Sequence, residues 1–152
     1  MDRILPISPK ILRLLSYLRQ DSRQKLTEIS KQTKIPISTL FDLLKESQEE
    51  KLIWKSTVLL NFSKLGYHTQ AQVFLKVHRE GREAFQKHLL YHESINTIYR
   101  INNGWDFIVE TVHRNIKELN TFLEKLEEYG LEDKEIHYLV EEVKREGFME
   151  VF

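Results

Sequence analysis

Basic side chains that could bind phosphate groups are concentrated in the first part of the chain. Residues 1–66 contain 12 lysines and arginines against 7 acidic residues, a net charge of +5, whereas residues 67–152 contain 11 against 16, a net charge of −5. This asymmetry suggests a module that faces a polyanion, joined to a module with another task. The candidate phosphate contacts are Arg13, Arg19, Arg23, Lys25, Lys31, Lys34 and Lys55.

The segment from Leu26 to Ile53 has the pattern of a DNA-binding helix-turn-helix. It predicts two short amphipathic helices joined by a tight turn, and the second helix carries Ile37, Leu40 and Leu44 at helical spacing on its inward face. Ser38 and Thr39 fall at the start of this second helix. Free N–H groups and the helix macrodipole favour phosphate there.

The same second helix carries an excess of negative charge, which opposes DNA binding. Asp42, Glu46, Glu49 and Glu50 stand against a single lysine, Lys45. Three accounts remain open. The helix N-terminus and the flanking basic residues bind DNA while the acids point away from the groove, or phosphate contacts dominate with little base readout. Alternatively, the module no longer binds DNA and serves as a dimer or partner surface.

The elements around this motif predict an N-terminal winged helix-turn-helix domain over residues 1–63. Ser8-Pro9 is typical of a helix start, with a capping hydroxyl followed by proline at the first helical position. Ile53 to Phe62 is rich in β-branched and aromatic residues, which predicts two short strands forming a wing.

Residues 64–152 predict a second domain of ferredoxin-like βαββαβ order, so the chain is assigned to the α+β class. The pattern predicts strands near 70–77, 95–101, 105–112 and 136–143, with helices over 81–90 and from a cap at Asn115 to Gly130. Asn103-Gly104 is a strong tight-turn signal. Two helices cover one face of such a sheet, so the other face is expected to bind a second copy.

Enzyme and metal chemistry find little support in the residue patterns. His88 and His92 have a spacing that could ligate a metal, but no third ligand adjoins them, so two surface histidines are expected. We expect no catalytic residues, no cofactor and no metal. The chain has no cysteine, no apolar run long enough to span a bilayer and no signal-peptide pattern, which together favour a cytoplasmic protein.

Several short motifs, taken in order, resemble the Lrp/AsnC family of leucine-responsive or "feast/famine" transcription regulators. The resemblance covers nearly the whole chain. Its residues are Asp21-Ser22-Arg23 after the first helix, Ile29-Ser30-Lys31, Ile37-Ser38-Thr39-Leu40 with Lys45 in the recognition helix, Leu52-Ile53, Leu65-Gly66-Tyr67 at the joint, and Asn103-Gly104-Trp105-Asp106 in a hairpin.

This resemblance implies a dimer, often assembled into tetramers or octamers, that binds double-stranded DNA near promoters. It also implies a small-molecule effector, commonly an amino acid, held between C-terminal domains near the hairpin. Asn103, Gly104 and Asp106 would then belong to the effector site. A glycine lets a ligand approach the backbone, and a carboxylate can pair with an ammonium group. The alternative is that Asn103-Gly104 only turns the hairpin.

The sequence departs from the family pattern where DNA would be read. Asp42 and Leu43 stand where the family commonly carries adjacent arginines, and Glu46 stands at another basic position. Lys34 and Lys51 replace two usual glycines. The main alternative is therefore a non-catalytic, dimeric, partner-binding protein. Sirohaem decarboxylases resemble the same architecture, but of their His-Asn-Tyr type sequence only Tyr99-Arg100 has a counterpart here.

Overall fold

The computed structural model describes residues 7–150, which divide into two compact units. The first unit comprises Met1–Leu59 together with Val143–Phe152, and the second comprises Leu60–Glu142. The first crossing lies four residues before the predicted boundary at residue 63. The return of the chain after Glu142 has no counterpart in the sequence-based division. Within residues 7–150, no helix combines the length and the apolar character that crossing a bilayer requires.

Three helices form the body of the first unit. They are α1 (Pro9–Gln20), α2 (Leu26–Thr33) and α3 (Ile37–Glu49). The predicted start of α1 is confirmed, because the Ser8 hydroxyl accepts a hydrogen bond from the Ile11 N–H at 3.3 Å and Pro9 occupies the first turn. The helix-turn-helix expected between residues 26 and 53 therefore consists of α2 and α3.

The core of the first unit is small and apolar. Leu14, Ile29, Ile35 and Leu40 are buried at its centre, with partly buried leucines and Tyr17 around them. The inward orientation expected for Ile37 is wrong, since 48% of this residue is exposed. Ile37 is the first residue of α3, and Ile35, on the other side of Pro36, fills the core position instead.

The two wing strands expected between Ile53 and Phe62 do not form. Residues 54–61 adopt no regular secondary structure, and Trp54, Val58 and Leu59 are exposed by 92%, 66% and 55%. A strand needs a neighbouring strand to satisfy its backbone groups, and among residues 7–150 the segment is not a strand of the sheet. Residues with a high strand propensity favour an extended backbone but do not by themselves provide the second strand that a wing requires.

The second unit has the predicted βαββαβ order. Its strands are β1 (Thr69–Val77), β2 (Ile95–Arg100), β3 (Phe107–His113) and β4 (Leu131–Tyr138), and its helices are α4 (Arg82–Leu90) and α5 (Ile116–Glu127). The sheet order is β2-β3-β1-β4, and every neighbouring pair is antiparallel. Asn115 caps α5 as expected, its side-chain oxygen accepting from the Glu118 N–H at 2.9 Å.

Strand β1 organises this core. Its residues alternate strictly between a fully buried face and a partly exposed face, so Ala71, Val73 and Leu75 point into the interior. Phe85 and Leu89 from α4, with Leu119, Phe122, Leu123 and Leu126 from α5, cover that face. On the opposite face, Phe74 packs against Trp105 and His137, and no element of this unit covers them.

The last strand lies earlier than expected. The prediction placed it at Ile136 to Val143, whereas β4 runs from Leu131 to Tyr138 and Val140 is 96% exposed. Because β4 is an edge strand, most of its side chains are polar and solvated, and the sequence LEDKEIHY shows no clear alternation. The apolar residues that suggested the later position belong to an irregular segment.

Two lysines occupy the left-handed backbone region, with φ of 62° at Lys34 and 56° at Lys51. This conformation costs an L-residue about 1 kcal/mol or more, whereas glycine adopts it freely. We therefore expect Lys34→Gly to raise the free energy of unfolding by about 0.5–1 kcal/mol, measured by urea unfolding of the full chain. Lys31→Gly, a change inside exposed α2, should instead destabilise by about 1 kcal/mol. A destabilising Lys34→Gly would contradict the strain.

Burial lowers the pKa of His113, which is only 2% exposed and packs against Phe122. The neutral form is therefore favoured in the folded state. The contribution of His113 to the free energy of unfolding is fully present above the unfolded-state pKa of about 6.5 and is lost as the pH falls below that value. His113→Phe should flatten the loss of stability between pH 7 and pH 5, measured by urea unfolding at each pH. The exposed His68→Phe serves as the matched control, and an unchanged slope in His113→Phe would refute the assignment.

Candidate functional site

The exposed surface of α3 carries a mixed set of side chains. Phe41 is 58% exposed, and Ser38, Asp42, Lys45 and Glu46 are exposed as well. Lys45 lies 3.9 Å from Glu49, one turn further along the helix. The single basic residue of α3 is thus partly neutralised, and the acidic character expected from the sequence is present at the surface of the helix.

The start of α3 leaves backbone donors available. Its N-cap residue is Pro36, whose side chain cannot accept a hydrogen bond from the first turn. The side chain of Ser38 is exposed and that of Thr39 is half-buried at this end. The turn before the helix is closed by the Ser30 hydroxyl, which donates to the Ile35 carbonyl at 2.6 Å. These features meet the physical requirement for an anion at a helix N-terminus.

The predicted phosphate contacts of the first unit are exposed, with one qualification. Arg23, Lys25, Lys34 and Lys55 lie at the surface. By contrast, the guanidinium of Arg19 donates to the carbonyl of Phe148 at 3.0 Å and to that of Glu146 at 2.5 Å. Arg19 is therefore engaged by the end of the chain, a use that its position in the sequence did not suggest.

The Asn103-Gly104 hairpin has the backbone geometry that the sequence predicted. Both residues have positive φ, 64° and 93°, a conformation that asparagine and glycine adopt more readily than other residues. The Ile101 N–H donates to the Asp106 carbonyl at 3.0 Å and closes the hairpin between β2 and β3. A Cβ added at Gly104 would meet no atom within 4 Å, so the space beside this turn is open.

Asp106 is held by three bonds to two elements, β1 and α4. One carboxylate oxygen lies 2.6 Å from the Arg82 guanidinium, and the other accepts from the Val77 N–H at 2.9 Å. The Asp106 N–H also donates to the Leu75 carbonyl at 2.9 Å. We call this arrangement the Asp106 brace. The brace ties the hairpin to the end of β1 and the start of α4. The side chain of Asp106 is only 14% exposed.

Arg82 was not identified from the sequence. It lies 24 positions before Asp106, in the first turn of a helix, and no local motif marks it. The Nε atom of Arg82 is buried and has no hydrogen-bond partner among the described residues. The brace therefore contains one donor that is still unsatisfied.

A second concave surface lies at the opposite end of β2 from the hairpin. This open cavity of about 240 Å³ is lined mainly by apolar side chains, including Leu60, Phe62, Ile95 and Val112, with the carboxylate of Glu93 among its polar groups. No sequence motif indicates this cavity, because its lining residues come from distant segments.

The histidine pair is not arranged as a metal site. His88 stacks on Tyr129 at 3.9 Å, and the His92 ring packs against Phe122 at 4.6 Å, which places both in aromatic contacts. Burial, followed by the neighbouring His88, lowers the pKa of His92. Among residues 7–150, no group of three or more metal-ligating side chains comes together.

Comparison with known proteins gives consistent matches. A family model described as the Lrp/AsnC ligand binding domain matches residues 70–148. The HTH-type transcriptional regulator FL11 of Pyrococcus abyssi is 31% identical over 112 residues, 74% of each chain. An HTH-type transcriptional regulator of Pyrococcus furiosus is 27% identical over 139 residues, 91% of this chain and 94% of that one.

Solved structures share the fold. Bacillus subtilis LrpC superposes with a TM-score of 0.85 at 18% identity, covering 92% of this chain and 99% of LrpC. A Neisseria meningitidis transcriptional regulator in complex with L-methionine also gives 0.85, at 15% identity and covering 91% and 93%. The match of the family model to residues 70–148 and the relatives whose similarity extends across both units establish that this chain belongs to the Lrp/AsnC family.

Proposed function

We propose that this protein is a DNA-binding transcription regulator of the Lrp/AsnC type whose activity is modulated by a small molecule. The observation that carries the proposal is the combination of a helix-turn-helix in the first unit with the family's ligand-binding domain in the second. The named relatives are transcriptional regulators, which supports a binding protein rather than an enzyme. A DNA-binding regulator must be in the compartment that contains the chromosomal DNA, and we expect this compartment to be the cytoplasm.

We assign DNA binding to residues 1–63 of the sequence, whose helices α1, α2 and α3 lie in the first unit. The N-terminus of α3 would receive a backbone phosphate through its free N–H groups and the hydroxyls of Ser38 and Thr39. Exposed basic side chains would supply further phosphate contacts, with Lys45 adding one charge on α3. These side chains are Arg23, Lys25, Lys34 and Lys55.

The acidic surface of α3 limits how this helix can recognise a DNA sequence. Asp42 and Glu46 are exposed and repel phosphate, so the affinity rests on the helix start and the flanking lysines and arginines. We therefore expect salt-dependent binding with weak sequence selectivity. The competing function, a dimeric partner-binding protein without DNA binding, is favoured by the same two acids together with the exposed Phe41.

The second unit would bind the effector beside the hairpin. Gly104 offers open space next to its backbone, and Asn103 shares the turn. Asp106 uses both carboxylate oxygens within the brace, so its main contribution is to fix the hairpin against β1, and any pairing with a ligand ammonium group adds to these bonds. An amino acid fits this setting because it carries both an ammonium and a carboxylate group.

Self-association would bury apolar side chains that a single copy of the chain leaves exposed. The sheet face that carries Phe74 and Trp105 is not covered by any helix of its unit, and the irregular segment at 54–61 exposes Trp54 and Val58. Burial of these apolar groups favours a dimer, and larger assemblies of dimers are consistent with the family. An effector bound between second units would then change DNA affinity by favouring one assembly over another.

DNA binding is tested by titrating short duplexes with the full-length protein at several salt concentrations. We expect binding at low salt that weakens steeply as salt is added. Arg23→Ala and Lys25→Ala should each lower the salt slope by about 0.9, because each removes one phosphate contact. Lys87→Ala removes an exposed lysine from α4 and is the charge-matched control. Absence of binding at low salt would support the partner-binding alternative.

The acids of α3 give a second arm of that experiment. Asp42→Asn removes one charge without changing the size of the side chain, so it should tighten binding to every duplex tested. Glu83→Gln, on α4, is the control. If Asp42→Asn weakened binding to some sequences only, Asp42 would be a base-reading residue and the prediction of weak selectivity would be wrong.

Effector binding is tested by calorimetric titration with each of the twenty amino acids. We expect at least one to bind the wild-type protein, and Asp106→Asn to weaken its binding by roughly tenfold or more, because the hairpin loses its charge-assisted bond to Arg82. Asp133→Asn, on β4, is the control. Equal binding by wild-type protein and Asp106→Asn would place the effector site elsewhere, with the cavity beside Ile95 as the next candidate.

A further inference from the structure

The C-terminal segment, residues 143–150, belongs structurally to the first unit although it follows the second unit in the sequence. It forms neither helix nor strand. Its contacts are instead made with one face of α1, through side chains that lie within two turns of each other. These side chains are Ser16, Arg19 and Gln20.

The bonds to this segment are directed at its backbone. The Arg19 guanidinium donates to the carbonyls of Phe148 and Glu146 and also lies 3.4 Å from the Glu146 carboxylate. Gln20 donates to the Glu150 carbonyl at 2.5 Å, and the Ser16 hydroxyl, on a residue that is 94% buried, donates to the same carbonyl at 3.3 Å. Three alternate carbonyls, those of residues 146, 148 and 150, are therefore held from a single helix.

The backbone of the segment is bent to meet these donors. Glu146 and Met149 have φ of 54° and 64°, a left-handed conformation that is costly for both residue types. Such conformations persist where the surroundings determine them. The apolar side chains of Val143 and Phe148 are 90% and 81% exposed, so these two residues contribute little to holding the segment. The polar bonds from Arg19 and Gln20 tie its backbone to α1.

We infer that residues 143–150 form a strap that fixes α1 and thereby completes the DNA-binding unit. The chain passes from the first unit to the second near residue 59 and returns near residue 143, so the two units share two covalent connections. The strap makes the order of α1 depend on a segment that continues directly from the effector-binding unit. The inference rests on the proposed function only for the names of the two units.

Two full-length variants would release the strap in different ways. Arg19→Ala removes its ionic anchor, and the double variant Ser16→Ala with Gln20→Ala removes the bonds to Glu150 without any change of charge. Alanine favours helix, so loss of α1 order in either variant would not reflect helix propensity. Arg13→Ala removes an exposed arginine from an earlier turn of the same helix and is the matched control.

The measurements use the protein alone, without DNA or effector. Trypsin cleavage after Lys144 and Arg145 reports release of the strap, and deuterium uptake by α1 peptides reports the order of the helix. We expect each releasing variant to accelerate both by roughly tenfold, as local opening becomes easier, and Arg13→Ala to behave like wild type.

Two outcomes would overturn the inference. If wild type is cleaved after Lys144 as fast as Arg19→Ala, the segment is not docked. If cleavage accelerates while deuterium uptake by α1 is unchanged, the segment binds to α1 without stabilising it and is not a strap. Because neither readout involves DNA or a ligand, failure here is distinct from failure of the proposed function, which the duplex and calorimetric titrations measure.

Discussion

Burial of one face of β1 is the constraint on which the second unit depends. Strand β1 pairs with β3 on one side and β4 on the other, and its alternate residues are completely enclosed by α4 and α5. A shift of one residue would exchange the buried and exposed faces, so the register is firmly set. This register pairs Leu75 with Phe107 and so brings the neighbouring Asp106 within hydrogen-bond distance of the Leu75 carbonyl and the Val77 N–H.

The elements that were predicted well are those with a strong local signal. The alternation of β1, the cap at Asn115 and the Asn103-Gly104 turn each depend on neighbouring residues, and each appears as expected. Strand β4 was misplaced because an edge strand is solvated and carries no alternating pattern. The wing failed for a different reason, since strand-forming residues specify a conformation but not a pairing partner.

The features that could not be predicted from the sequence are contacts between residues far apart along the chain. Arg82 and Asp106 are separated by 24 residues, and Arg19 and Phe148 by 129, so no spacing rule relates them. The family resemblance indicated Asp106 as an effector residue but not that its carboxylate already has two internal partners. Conversely, the acidic surface of α3 was visible in the sequence, and the structure adds that Lys45 is close to Glu49 and that the start of the helix remains open.

The division of the chain has a consequence for its synthesis. The first unit is assembled from two segments that lie before and after the second unit, which is continuous from Leu60 to Glu142. On a ribosome, which releases the chain from the N-terminus, the second unit has all its residues before the first unit does. The three helices emerge early but receive residues 143–150 only after the whole second unit has been synthesised. The order of maturation is thus the reverse of the order of the units in the sequence.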